Sequence, residues 1–164
     1  MFKLIIVEDE NKTRSALLSC LPWESLGITE VGEASNGVQA LEWIKRERPH
    51  LVITDIRMPE MDGLELVGRI REAYPHTGVI ILSAYSDIPY LKSAIKYNAV
   101  DYLFKPVDPE ELEQAISRAL DRVRVSSQMS RVHGVLEEHL PLLREQWLKA
   151  IVNGVKIGDA EWEN

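Results

Sequence analysis

A single cysteine, Cys20, in 164 residues leaves no partner for an internal disulfide. Its place on an apolar helix face makes it a small core or boundary residue and not a redox group. Long hydrophobic runs are also missing. The opening MFKLIIVEDE has too short an apolar stretch for a signal peptide and meets acids at once, and no segment is long enough to span a bilayer. Basic charge is scarce as well: 19 Lys and Arg face 26 Asp and Glu, a formal charge of −7 with no basic stripe. Non-specific polyanion binding depends on clustered Lys and Arg, so it is not expected. Low-complexity tracts and long-period repeats are absent. These absences lead us to expect a protein of the reducing cytoplasm with no membrane partner.

What is present is the composition of a folded globular chain, 45% hydrophobic and 27% charged. The length suits one core-bearing domain plus an appendage. Short apolar runs alternate with amphipathic stretches. KLIIV (3–7) precedes a helical pattern from about Lys12 to Leu21, and ITEVGEA (28–34) one from Gly37 to Arg48. LVIT (51–54) precedes Gly63 to Tyr74, GVIIL (78–82) precedes Ser86 to Tyr97, and DYLF (101–104) precedes Pro109 to about Arg124. Five such units predict an α/β fold, a doubly wound five-stranded parallel sheet with helices on both faces. Continuous apolar runs, as opposed to alternating ones, are what a doubly covered sheet requires. ITEVGEA alternates more, as an edge strand would. Asp108, Pro109 and the following glutamates read as an N-cap, a first-turn proline and acids at the positive helix end.

Ligands of open parallel sheets bind beyond the carboxyl ends of the strands, so the residues at those exits are read together. The first strand ends in Val7-Glu8-Asp9, the third in Thr54-Asp55, the fourth in Leu82-Ser83 and the fifth in Phe104-Lys105. With the first strand central and the third beside it, Glu8, Asp9 and Asp55 converge. Three carboxylates repel one another unless a cation sits among them. Mg²⁺ is the hard ion commonly held by one or two carboxylates together with phosphate oxygens. Lys105 adds a point charge suited to a phosphoryl oxygen and Ser83 a hydroxyl donor. The set is that of phosphoryl transfer, with Asp55 as the nucleophile.

VEDE (7–10), TDIRMPEMDG (54–63), LSAY (82–85) and DYLFKP (101–106), in that order, resemble the receiver domain of two-component response regulators. The resemblance covers about residues 3–123. It implies the flavodoxin-like strand order 2-1-3-4-5 and a phosphoryl group accepted on Asp55 from a sensor histidine kinase. It further implies Asp9 as direct Mg²⁺ ligand, Glu8 acting through water, and Arg57 contributing only its backbone carbonyl. By the same likeness Ser83 and Lys105 hold the phosphoryl group, Tyr102 is an aromatic switch, and the Lys105–Pro106 peptide is cis. Glu8 stands where many members carry Asp, and Asn98 where Gly is usual.

An Asp-nucleophile phosphohydrolase similar to haloacid dehalogenases is the rival reading. Such enzymes need a second Asp two positions on, and Arg57 is there instead. A flavin or nucleotide carrier lacks its glycine-rich loop after the first strand. Residues 124–164 carry Met129, Val132, Leu136, Leu140, Leu143, Trp147 and Ile151 at helical spacing, interrupted by Pro141. This stretch is expected to be a helical extension that pairs in a homodimer or leads onward, the alternative being that it folds back. His133 and His139 fall off metal-ligand spacing. PWESLGI (22–28) and LPLLREQWL (140–148) are similar to regulators that continue into an AraC-type helix-turn-helix output. DNA contact is expected only through such an output, outside this chain.

Overall fold

The computed structural model describes residues 1–84 and 99–125. The helix expected over 86–97, Asn98 and the extension from 126 onward lie outside the described residues. Five strands, β1 (Phe2–Val7), β2 (Ile28–Ala34), β3 (Leu51–Asp55), β4 (Gly78–Ser83) and β5 (Asp101–Phe104), form one parallel sheet in the order β2-β1-β3-β4-β5. Both the expected fold class and the expected strand order are borne out, with ITEVGEA at the edge.

Alternation along each strand sorts the core into two layers. Leu4, Ile6, Leu51, Ile53, Ile80, Leu82 and Leu103 pack with Leu17 of α1 (Asn11–Ser19) and with Leu112, Ala115, Ile116 and Ala119 of a helix at 109–125. Ile5, Val7, Val52, Val79 and Ile81 pack on the other face against Ala40 and Ile44 of α2 (Gly37–Glu47) and Leu66, Val67 and Ile70 of α3 (Gly63–Ala73). Leu4 to Val7 are all 0% exposed, which is why that run shows no polar alternation.

Helix ends follow local chemistry. Asn36 accepts from the Gln39 N–H and Asp62 from the Glu65 N–H, each capping its helix, and Asp108 accepts from the N–H groups of Glu110 and Glu111. Helix α1 stops at Ser19, short of the expected Leu21, because the chain turns there into a 3-10 helix at Trp23–Leu26. The Trp23 indole N–H donates to the Leu18 carbonyl at 2.7 Å and braces that turn, which ends at Gly27 with φ 79°. The Lys105–Pro106 peptide is cis, as the resemblance implied.

One glycine positions the site directly. The Gly63 N–H donates to the Ile56 carbonyl at 2.8 Å, and a Cβ there would lie 1.9 Å from the Asp55 carbonyl oxygen. Helix α3 can therefore start against the β3 exit only with hydrogen in that place. Gly63→Ala is expected to lower unfolding free energy by about 3 kcal/mol, the upper end of overpacking costs, measured by urea denaturation. An unchanged midpoint would contradict this account of the β3–α3 junction.

Candidate functional site

Register brings the exits together. Val7 pairs with Thr54 and Asp55 with Leu82, so Glu8 and Asp55 occupy the next rung on neighbouring strands. Both continue the alternation of the layer that contains Leu4, Ile6, Leu51 and Ile53, as Lys105 does beyond Leu103. Glu8 is 1% and Asp55 7% exposed, while Asp9 is exposed beside them. One oxygen from each of the three carboxylates lies within 4.8 Å of the others.

Lys105 Nζ donates to Glu8 Oε2 and to Asp55 Oδ2, both at 2.7 Å. Desolvation works against the half-buried ammonium, but its bonds to Asp55 and Glu8 outweigh it and hold the lysine above its ordinary value. That stability is fully present below pH 10.5, the ordinary lysine value, and is lost only as pH rises through the higher folded value. Glu8 behaves oppositely. Burial, aided by the nearby Asp55 charge, pushes its carboxyl up, and Lys105 and the Glu10 N–H only partly offset this. Asp55 Oδ1 also accepts the Ile56 N–H at 2.6 Å, which fixes the carboxylate at the strand tip.

Ser83, fully buried, donates from Oγ to the Ala84 carbonyl at 3.0 Å and accepts the Tyr102 hydroxyl at 2.6 Å. Ile81 pairs with Tyr102, so Ser83 lies two residues along the same face of β4, within diagonal cross-strand reach. Arg57 lines an open cleft of about 480 Å³ with Asp9, Ile56, Met58, Pro59 and Asp62. The structure thus brings Glu8, Asp9, Asp55 and Lys105 into one cluster, places Arg57 at its mouth, and pairs Ser83 with Tyr102 alongside.

The donor set suits a hard cation. Octahedral Mg²⁺ with ligands at ~2.0–2.1 Å puts opposing oxygens about 4 Å apart, and the Asp9 and Asp55 oxygens, within 4.8 Å of each other, need close only slightly, with the Glu8 oxygen near enough to take a bound water. Sequence reasoning missed Arg14, whose guanidinium reaches the Glu8 carbonyl at 2.6 Å from the first turns of α1. A basic residue one turn beyond an acidic strand exit was the available signal.

The family model of the response regulator receiver domain matches residues 4–117. The chain belongs to the response regulator receiver domain family. This receiver domain is 37% identical over 158 residues to the transcriptional regulatory protein HptR of Staphylococcus aureus, which covers 94% of this chain and 62% of that protein. It is 31% identical over 159 residues to an uncharacterized transcriptional regulatory protein, YesN, of Bacillus subtilis, covering 94% of this chain and 43% of the relative. The chain spans about half the length of the curated relatives it matches. Among solved structures it is similar to a two component transcriptional regulator AraC from Clostridium phytofermentans, with TM-score 0.71 and 39% identity over 75% of this chain and 95% of that one. The receiver domain of AraT from Geobacillus stearothermophilus gives 0.71 and 30% over 78% and 98%. Among the described residues of this receiver domain, no helix is long and apolar enough to cross a membrane.

Because the folded state raises the Glu8 value, ionising Glu8 costs stability as pH climbs above 4.5, the ordinary glutamate value. Glu8→Gln is therefore expected to melt a few degrees above the unsubstituted receiver domain at pH 7 without Mg²⁺, the gap closing toward pH 4. A variant that melts lower at pH 7 would contradict the assignment of net strain to that carboxylate.

Proposed function

We propose that this receiver domain accepts a phosphoryl group on Asp55 from the phosphohistidine of a sensor histidine kinase and switches conformation in response. The observation that carries the reading is the nearly buried Asp55 carboxylate with Glu8, Asp9 and Lys105 around it. Asp9, Asp55 and the Arg57 carbonyl would hold Mg²⁺, with Glu8 acting through a bound water. When bound, that ion neutralises the negative charge that gathers on the phosphoryl oxygens and the acids.

Transfer is an in-line displacement. An Asp55 carboxylate oxygen forms a bond to phosphorus as the P–N bond to the donor imidazole breaks, and that bond's electron pair returns to the ring nitrogen. Asp55 is held for attack by the Ile56 N–H on one oxygen. Lys105, released from Glu8 once the acids are otherwise balanced, turns its ammonium to a phosphoryl oxygen. Ser83 supplies a hydroxyl to another, leaving the Ala84 carbonyl. Its movement draws on the 2.6 Å bond to the Tyr102 hydroxyl, so the aromatic ring follows. The product is a population shift with the phosphoryl group as the biasing ligand. Asp101 already pairs with Arg118 of the helix at 109–125 within the chain, so dimer contacts there would exchange an exposed pair worth about 0–1 kcal/mol.

The domain's own chemistry is phosphoryl acceptance and loss, not turnover of an external substrate. Arg57 in place of a second acid supports that over a phosphohydrolase. We assign residues 1–123 to the receiver and 124–164 to a helical linker that pairs in a homodimer. The output we assign is control of transcription, because relatives of greater length are named transcriptional regulators. DNA contact would then belong to an AraC-type module, and the place of action is the cytoplasm.

Incubation with acetyl phosphate and Mg²⁺ is expected to add one acid-labile acyl phosphate per chain, a gain of one phosphoryl mass by intact mass spectrometry at near-neutral pH. Asp55→Asn is expected to remove at least nine-tenths of it. Equal labelling of the variant would overturn the assignment, and repeated turnover of a phosphomonoester would favour the hydrolase.

A further inference from the structure

The guanidinium of Arg14 is committed on three sides. Nη1 donates to the Glu8 backbone carbonyl at 2.6 Å, Nη2 to Asn11 Oδ1 at 2.5 Å, and Nε to Glu33 Oε2 at 3.2 Å. Its side chain is 16% exposed, against 52% for Glu33, so the arginine is the ordered member of that pair. The preceding peptide unit is held as well, since the Glu8 N–H donates to the Ala34 carbonyl of β2 at 3.0 Å.

The Glu8 carbonyl and the Asp9 N–H belong to one planar peptide unit. Fixing that carbonyl fixes the plane from which the Asp9 Cα departs, and so narrows the directions open to the Asp9 side chain to those reached by rotation about its own φ and χ1. Glu8 is restrained independently, by Lys105 on Oε2 and by the Glu10 N–H on Oε1 at 3.3 Å. Asp9 is exposed and sits outside the buried core, so its aim comes from the backbone. Arg14 itself is anchored by helix α1, where its N–H donates to the Glu10 carbonyl at 2.9 Å.

We propose that Arg14 is a positioning residue that aims Asp9 at the cation site by clamping the Glu8 carbonyl, with Glu33 of β2 steadying the clamp. The inference rests on the reading of Glu8, Asp9 and Asp55 as a Mg²⁺ site. It separates two effects of opposite sign. As a positive charge beside three acids, Arg14 opposes a divalent cation, so electrostatics alone make its removal tighten Mg²⁺ binding. As a clamp it prepays the ordering of Asp9, so its removal weakens binding, by the roughly tenfold loss typical of groups that orient metal ligands.

The test is Mg²⁺ titration of the full chain by isothermal calorimetry at fixed ionic strength, with Arg14→Met, Arg14→Lys and Glu33→Gln beside the unsubstituted protein. Arg14→Met is expected to raise the Kd about tenfold, Arg14→Lys to recover part of that loss, and Glu33→Gln to change it less than threefold. Amide hydrogen exchange of the metal-free chain gives the second readout, with faster exchange at Asp9 and Glu10 in Arg14→Met but not in the sheet. Unchanged or tighter Mg²⁺ binding by Arg14→Met would overturn the inference. So would exchange that rises across β1 and β3 as well, because that marks general loosening. No Mg²⁺ binding by the unsubstituted chain would instead strike at the metal-site reading itself.

Discussion

A single ammonium group holds two nearly buried carboxylates together, with Lys105 Nζ 2.7 Å from Glu8 Oε2 and 2.7 Å from Asp55 Oδ2. Without that charge the first and third strands would present like charges on one rung, one of them 1% and the other 7% exposed. Bringing Lys105 there constrains much of the fold. It requires β5 at the far edge of the β3–β4 pair, the turn at Pro106, and a helix at 109–125 that seals the layer below with Leu112 and Ile116. The arrangement places a monovalent cation beside three acids whose oxygens could hold a metal ion. Lys105 satisfies two of the acids and leaves Asp9 at the mouth of the cleft that Arg57 lines.

Strand alternation divides the labour of the site. Glu8, Asp55 and Lys105 continue the layer packed against α1 and the 109–125 helix, whereas Ser83 and Tyr102 share the opposite parity. The charged cluster and the hydroxyl pair thereby fall on opposite strand parities at the same end of the sheet. Ser83 Oγ is bonded to both the Ala84 carbonyl and the Tyr102 hydroxyl, so it links the exit of β4 to the second layer. The glycine at the start of α3 completes the frame, since only hydrogen fits against the Asp55 carbonyl.

Much of this is legible in the residues. Uninterrupted runs such as Leu4 to Val7 suit strands covered on both faces, and together with the alternating ITEVGEA and the short DYLF they give the five strands of the parallel sheet and its exits. Acids at two exits and a lysine at a third announced the charged cluster. What could not be read depends on reach in three dimensions. The Tyr102–Ser83 bond arises from cross-strand register, which spacing along the chain does not encode, and Arg14, although its spacing from the acidic strand exit is visible in the sequence, finds the Glu8 carbonyl only through helix placement. The early end of α1 had a similar cause, because the indole of Trp23 folding back on Leu18 outweighs the apolar pattern that ran on to Leu21. The amphipathic stripe from Met129 to Ile151 and the helix expected at 86–97 lie outside the described residues and remain readings of sequence.

The most direct test of the central claim, that Lys105 stands in for a divalent cation among the acids of two strand tips, is a crystal structure grown with Mg²⁺. The account predicts an ion bonded at ~2.0–2.1 Å to oxygens of Asp9 and Asp55, with Lys105 Nζ withdrawn from Glu8. A lysine still bridging Glu8 and Asp55 at saturating Mg²⁺, with no ion between the strand tips, would contradict it.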